Sequence, residues 1–335
     1  MVNFQFSLNH LTLMISPVLV IILAVLLDQL LGDPRRLPHP VRLMGRLGMA
    51  LEAFFRKTGL PLKPAGILTL SLLLAATWAA TMLLLYGAAL IHPLAATATA
   101  VYLIYTTFAA RDLCRHSRAV FDALKNRDLP EARRRVAMIV GRDTAALNEE
   151  EVARAAVESV AESMVDGVCA PLFYAFVGGP AAAMLYRAVN TADSMFGYKN
   201  ARYEQFGWAA ARLDDLANFI PARLTGLLVP PAALLLRLDA RSAWRILRRD
   251  RKNHASPNSG HGEAAVAGAL GIRLGGSSSY FGRVVQKPTI GEARQPIVAA
   301  HIMAANRLML LTMWLTLLVL ALLISPAGLF LAKGA

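Results

Sequence analysis

Glu158, Glu162 and Asp166 recur at a spacing of four. On an α-helix that spacing stacks the three carboxylates on one face, where like charges repel by about 0.2–0.5 kcal/mol per pair. Such a face, next to an apolar segment, can bind Mg²⁺ or a basic substrate group; a solvated acidic face meets the same pattern. A second group follows. Arg187, Asn190 and Asp193 are spaced by three, and Lys199 and Arg202 come after Gly197 in a predicted loop. Asp214 and Asp215 are adjacent, so on a helix they point about 100° apart and one of them at most serves a given site. The third group lies between Asn253 and Glu263, where Ser259, Gly260 and His261 lead into an Ala-rich run. A loop of small residues feeding a helix presents free N–H groups to a phosphate, although an ordinary helix cap has the same composition. Gly271 to Tyr280 reads as a flexible lid or a linker. No P-loop, nucleophile elbow, zincin or dinucleotide fingerprint occurs. Cys114 and Cys169 are too isolated to indicate a disulfide framework or a structural zinc site.

The elements that must position these groups are largely apolar. Hydrophobic residues make up 56% of the 335 and charged residues 17%, against roughly 45–50% and about 25% in soluble domains. Disorder, collagen and a coiled-coil rod are excluded, and an integral membrane protein is indicated. The net charge of +13 is accounted for by basic loops beside anionic lipid, with the remainder free to serve an anionic substrate; no nucleic-acid partner is expected.

The expected architecture is an all-α, polytopic membrane protein with a helical cytoplasmic portion. Residues 13–31, 66–90 and 308–332 each have the roughly 20 apolar residues a bilayer core requires, and 94–110 is a shorter fourth candidate. No basic residue precedes the first span, so it lacks the features of a signal peptide. The loop 32–65 holds seven basic residues and the turn at His92 holds none, which puts the loop inside and both chain ends outside. The expected regions are 1–110, an N-terminal membrane region; 111–307, a mainly cytoplasmic catalytic region; and 308–335, a C-terminal span. Segments 168–186 and 216–236 are apolar but interrupted by Gly and Pro, and are expected not to cross fully. Val41 to Lys57 reads as an amphipathic helix, lying on the membrane or on the protein's own core. Asn148 followed by Glu149, Glu150 and Glu151 is a capping-box start for a helix running to about Asp166, with Gly167 as its C′ residue.

The chain resembles the adenosylcobinamide-phosphate synthase family of cobalamin biosynthesis, the CobD/CbiB type. The matching stretches are Asp28-Gln-Leu-Leu-Gly-Asp-Pro34 with Pro38-His39-Pro40, Met138-Ile-Val-Gly-Arg-Asp143, Ala156-Val-Glu-Ser-Val-Ala-Glu162 and Tyr186-Arg-Ala-Val-Asn-Thr-Ala-Asp-Ser194. Phe206 to Asp215, Ile220-Pro-Ala-Arg223 and Ser256-Pro-Asn-Ser-Gly260 continue the series. The resemblance implies a multi-pass enzyme of the cell membrane, with its active site on the cytoplasmic side. It would join adenosylcobyric acid to (R)-1-aminopropan-2-ol O-phosphate through an amide bond, using ATP and Mg²⁺, in association with other membrane enzymes of cobalamin assembly. On that implication the catalytic candidates are Glu158, Glu162, Asp193 and Asp215. The substrate and phosphate candidates are Arg187, Asn190, Lys199, Arg202, Ser259, Gly260 and His261, and the metal candidates are Glu158, Glu162 and Asp166. A transporter built on the two broken apolar segments, or a regulatory membrane protein without chemistry, is the alternative.

Overall fold

The computed structural model describes residues 15–33, 39–198, 200–280 and 282–332, with side chains to residue 323. In chain order the elements are α1 (Pro17–Leu31), α2 (Pro40–Phe55), α3 (Leu62–Ile91), α4 (Pro93–Tyr105), α5 (Ala110–Lys125), α6 (Leu129–Val136) and α7 (Glu149–Met164). A π-helical turn, Val165–Cys169, leads into α8 (Ala170–Phe196), α9 (Trp208–Ala217), α10 (Phe219–Leu235), α11 (Ala240–Asp250) and α12 (Ser259–Leu270). Strands β1 (Arg273–Tyr280) and β2 (Arg283–Gly291) precede α13 (Ala300–Ala332). The protein is all-α with one small sheet. The chain divides into two compact units: Met1–Phe108, Ala170–Ala217 and Val319–Ala335 form the first, and Ala109–Cys169 and Asn218–Leu318 the second.

Among the described residues four helical stretches are long and apolar enough to cross a membrane: Leu62–Ile91, Pro93–Lys125, Glu149–Phe196 and Ala300–Leu323. Trp208–Ala217 and Phe219–Leu235, bent by 45°, make a fifth if the pair is one span, and Pro17–Leu31 is apolar but shorter. Both segments expected to be interrupted are helical and bent. α8 leaves helical geometry at Gly178 and Gly179, just before Pro180, and the other break falls between α9 and α10.

In the first unit α3 packs against α2, α4, α8 and α9. Its buried residues Thr69, Leu73, Thr77, Thr81 and Leu85 recur every four positions, a stripe that meets the other helices. The remaining surface is also apolar; Leu83 is 71% exposed, which suits lipid rather than water. α2 buries Met44, Gly48, Glu52 and Phe55 and leaves Phe54 exposed. Its buried face includes an acid, Glu52, which accepts from Arg56 at 2.8 Å and from Arg202 at 3.2 Å.

In the second unit α12 is the central helix, buried from Gly260 to Leu270 against α7, α10 and α11. Its Gly and Ala content permits this. A Cβ on Gly262 would lie 2.6 Å from the Ala161 carbonyl oxygen, so glycine sets how closely α12 approaches α7. The start of α7 is as expected: Asn148 and Glu151 cap each other's backbone N–H at 2.9 Å. Its end is not. The helix does not stop at Gly167 but widens into the π turn, where the Gly167 carbonyl accepts from Ala109 N–H at 3.1 Å.

Residues 273–280, expected to be a lid or linker, are a strand. β1 and β2 form an antiparallel hairpin with an irregularity at Gly275/Gly276. Its base is tied down by charge. Glu292 accepts from Arg245 at 2.6 and 2.7 Å, from Arg249 at 2.7 Å and from Arg294 at 3.2 Å. The Arg245 hydrogen bonds, followed by those of Arg249, hold the Glu292 carboxyl down to about 2. Asp250, also lowered by Arg249, accepts from Gly291 N–H at 2.8 Å. A lowered folded pKa gives stability that is present above the ordinary value of 4.5 and is lost as pH falls through the folded value. Hydrogen-exchange protection at the Gly291 amide should therefore fall several-fold between about pH 4.5 and 2. Glu292→Gln should show lower protection already at pH 6 and a smaller further loss in acid; equal protection in both proteins throughout would show that the hairpin is anchored otherwise.

Candidate functional site

The second unit encloses a polar cavity of about 160 Å³. Its walls come from five places. α7 supplies Glu158 and Glu162, the loop before α7 supplies Arg142, the loop before α12 supplies His254, α12 supplies Glu263, and the hairpin supplies Tyr280 and Lys287. Three carboxylates thus meet two cations and an imidazole.

Glu158 is the most constrained carboxylate. It is 7% exposed and forms an ion pair with Arg142. Gly275 N–H also donates to its Oε1 at 2.7 Å. Gly275 has φ +78°, and a Cβ there would lie 2.3 Å from the Pro288 carbonyl oxygen, so the bulge that aims this N–H needs glycine. Arg154, four residues before Glu158, donates instead to the carbonyls of Gly275 and Ser277 at 2.8 and 3.0 Å. Asp143 steadies the other end of β1, accepting from Ser279 Oγ at 2.7 Å.

Glu162 is exposed, unlike Glu158 and Glu263, because it faces the cavity. Ser259 Oγ donates to it at 3.4 Å. Glu263 is 4% exposed. Burial first, then the charges of Glu162 and Glu158, push its carboxyl well above the usual carboxylate range. His254 Nδ1 accepts from Ser256 N–H at 3.0 Å, so its hydrogen sits on Nε2, 3.4 Å from Glu263 Oε1. Burial, and then Lys287, hold this imidazole below its ordinary range. A carboxyl raised and an imidazole lowered, in contact within a cavity, have their proton affinities brought towards each other, as in pairs that share a proton.

The expected three-carboxylate metal face is not assembled. Glu158 and Glu162 line the cavity and Asp166 does not, because it falls in the π turn, where the four-residue register is lost. Among the described residues no three His, Cys, Asp or Glu side chains are gathered as a metal ligand set. Gly260 and Ser259 begin α12 as the spacing predicts, but the bareness of Gly260 is used by the protein itself. A Cβ there would lie 2.4 Å from the Arg251 carbonyl oxygen. Two nearby N–H groups, of Asn258 and Ser259, already donate to Ser256 Oγ at 3.2 and 3.3 Å.

His261, the next residue of α12, is buried within the second unit, and the remaining candidates belong to the first unit. Arg187 donates to Asn190 Oδ1 at 3.2 Å, and Asn190 Nδ2 donates to Asp214 Oδ1 at 3.4 Å. Of the adjacent aspartates it is therefore Asp214 that joins this group; Asp215 lies 4.0 Å from Arg212. Asp193 is one turn past Asn190 on α8. His39 stands 3.6 Å from Asp33, and burial, more than the nearby Arg187, lowers its pKa. Arg202 is committed to Glu52, and Lys199 lies outside the described residues. Sequence reasoning missed Arg142, His254, Glu263 and Lys287. The first three sit inside stretches singled out by their composition or resemblance, whereas Lys287 sits on a strand that gave no signal.

A family model described as "CobD/Cbib protein" matches residues 21–309. A cobalamin biosynthesis protein CobD of Geobacter metallireducens is 54% identical over 290 residues, covering 87% of this chain and 91% of that one. Another, of Leptospira interrogans, is 47% identical over 311 residues, covering 93% and 99%. A third, of Clostridium perfringens, is 46% identical over 290 residues, covering 86% and 92%. No solved structure matches.

Two substitutions probe the geometry. Glu158→Gln leaves Arg142 buried without a counter-charge, and breaking a buried pair from one side costs about 3–5 kcal/mol. It should lower the thermal midpoint well beyond Glu162→Gln; equal midpoints would place the Arg142 pair in solvent. Gly260→Val should prevent stable folding through the clash with Arg251, measured as loss of the monodisperse detergent-solubilised protein. A stable Gly260→Val protein would mean that the Arg251 loop yields easily.

Proposed function

The chain belongs to the CobD/Cbib protein family of cobalamin biosynthesis, and we propose that it is the ligase that joins adenosylcobyric acid to (R)-1-aminopropan-2-ol O-phosphate. The reading places the catalytic residues on the cytoplasmic side of the cell membrane, as the basic loops favour. The observation that carries it is the convergence of Glu162, Glu263, His254, Lys287 and Arg142 on one cavity of a chain with no P-loop.

The cavity's size limits what enters it. Pockets for whole small molecules measure about 300–1,000 Å³, so about 160 Å³ admits a phosphoryl group or the reacting ends of the substrates rather than a nucleotide or a corrinoid. Lys287 supplies the positive charge that phosphoryl oxygens need, while Arg142 borders the space already paired to Glu158. With ATP supplying an acyl phosphate, the Glu263–His254 pair would take, at Glu263 Oε, the proton the amine loses as it attacks the acyl carbon and displaces phosphate.

Mg²⁺ and ATP are implied by the family. The donor set fits Mg²⁺ only with substrate oxygens and water completing its shell, as is usual for this ion, because Glu158 is taken by Arg142 and Glu162 is left to hold it. Bound there, the ion would neutralise phosphate charge.

The test is ADP release by the detergent-purified protein, dependent on both the corrinoid and the amino alcohol phosphate. Glu162→Gln should lower turnover at least tenfold, about 1.4 kcal/mol of barrier, while leaving the fold intact, since the residue faces open space and makes one long hydrogen bond. Wild-type turnover in Glu162→Gln, or no ADP release that depends on the two substrates, overturns the proposal.

A further inference from the structure

One side chain of the reaction cavity remains without a task. Tyr280, the last residue of β1, lines the cavity beside Lys287 of β2. The two reach each other along one face of the hairpin. Gly276 pairs with Lys287 across the strands, and Ser278 and Tyr280 follow Gly276 at intervals of two, so all four point to the same side. Only the small residues Gly276 and Ser278 stand between the two long side chains on that face. Lys287 Nζ donates to the Tyr280 hydroxyl oxygen at 2.6 Å. An ammonium can only donate, so the phenol oxygen accepts and its own hydrogen is left for another acceptor. Among the described residues none takes it, and no carboxylate there is ion-paired to Lys287.

The neighbours of Tyr280 hold it in place. Asp143 N–H donates to the Ser279 carbonyl at 2.8 Å. Asp143 Oδ2 accepts from Ser279 Oγ at 2.7 Å and from Gly282 N–H at 2.8 Å, so the clamp closes on both sides of the tyrosine. On the cavity face Arg142 donates to Ser278 Oγ at 3.3 Å. A phenol fixed in this way, with a cation on its oxygen, is a stronger donor than a phenol in water. It also needs no reorganisation when charge appears in front of it.

We propose that Tyr280 is a catalytic residue whose hydroxyl, held by Lys287, donates a hydrogen bond to the acyl oxygen as the amine attacks. The assignment rests on the ligase reading and deepens it. As the amine nitrogen bonds to the acyl carbon, the carbonyl electron pair moves onto the acyl oxygen. Phosphate then leaves with the electron pair of its bond to carbon, the carbonyl re-forms, and the amine's proton goes to the Glu263–His254 pair. Tyr280 keeps its hydrogen throughout. In that sequence the acyl oxygen is where charge develops without a donor yet named, because Arg142 is paired with Glu158 and Lys287 suits the phosphoryl oxygens.

The test is steady-state kinetics of the full-length, detergent-purified protein, with ATP, the corrinoid acid and the amino alcohol phosphate varied separately. Tyr280→Phe removes the hydroxyl and keeps the ring. A donor that acts only on charge in the transition state predicts kcat and kcat/KM lowered together by about tenfold or more, with each KM roughly at its wild-type value. Tyr280→3-fluorotyrosine, which restores the hydroxyl on a ring of nearly the same shape, should recover most of the turnover. Hydrogen-exchange protection at the Gly275 amide, which reports on the hairpin, should be the same in the wild type and both variants. Unchanged kcat in Tyr280→Phe, a loss confined to KM, equal losses in both variants, or a fall in kcat together with lost protection at Gly275 overturns the assignment and leaves the ligase reading standing. No ADP release by the wild type that depends on the two substrates overturns both.

Discussion

Three glutamates share the space between α7 and α12, and an interior cannot hold three unscreened negative charges. Much of the second unit can be understood as the answer to that constraint. Glu158 is neutralised by Arg142. Burial, and then its acidic neighbours, push the Glu263 carboxyl well above the usual carboxylate range. Glu162 keeps contact with the cavity and carries the least compensation. The same side chain thus meets three settings: one paired with a guanidinium, one buried beside an imidazole and one facing the cavity.

The supporting structure follows from the same need. Arg142 can reach Glu158 only if its loop is fixed, and the loop is fixed by Asp143 on the hairpin. The hairpin can present Gly275 N–H only if its bulge is held, and Arg154 holds it from α7. The far end of the hairpin is then anchored by the arginines around Glu292. The close approach of α12 to α7 depends on Gly262. Apart from the packing at Gly262, these contacts are polar, although the helices around them are rich in Ala and Val.

The first unit obeys a different rule. Its helices meet along narrow stripes of Thr, Leu and small residues and leave Leu, Ile and Trp on the outside. Such surfaces are stable where the surrounding solvent is itself apolar. Its polar interior includes short chains of hydrogen bonds, from Arg187 through Asn190 to Asp214 and from Arg202 through Glu52 to Arg56.

What was legible in the sequence was what depends on local pattern. The length and apolarity of α3 and α13, the capping box at Asn148, the breaks near Gly178 and Pro221, and the helix starting near Ser259 all follow from neighbours within one or two turns. The family resemblance was legible too, because it rests on residue identity. The placement of Glu158 and Glu162 on one face also held, since four-residue spacing is a property of the helix alone. Tertiary structure decided the rest. The partner of Glu158 is Arg142, 16 residues away, rather than Arg154, one turn away, because Arg154 was drawn to a bulge formed by residues more than 100 positions on. Asp166 left the face because a π turn, invisible in residue spacing, changed the register. Glu263 and Lys287 became site residues only when a helix and a strand from the C-terminal third closed over α7. The Gly271 to Tyr280 stretch became a strand because a later run, Arg283 to Gly291, paired with it. Glycine and serine there indicate local freedom, and only a partner far along the chain can remove it.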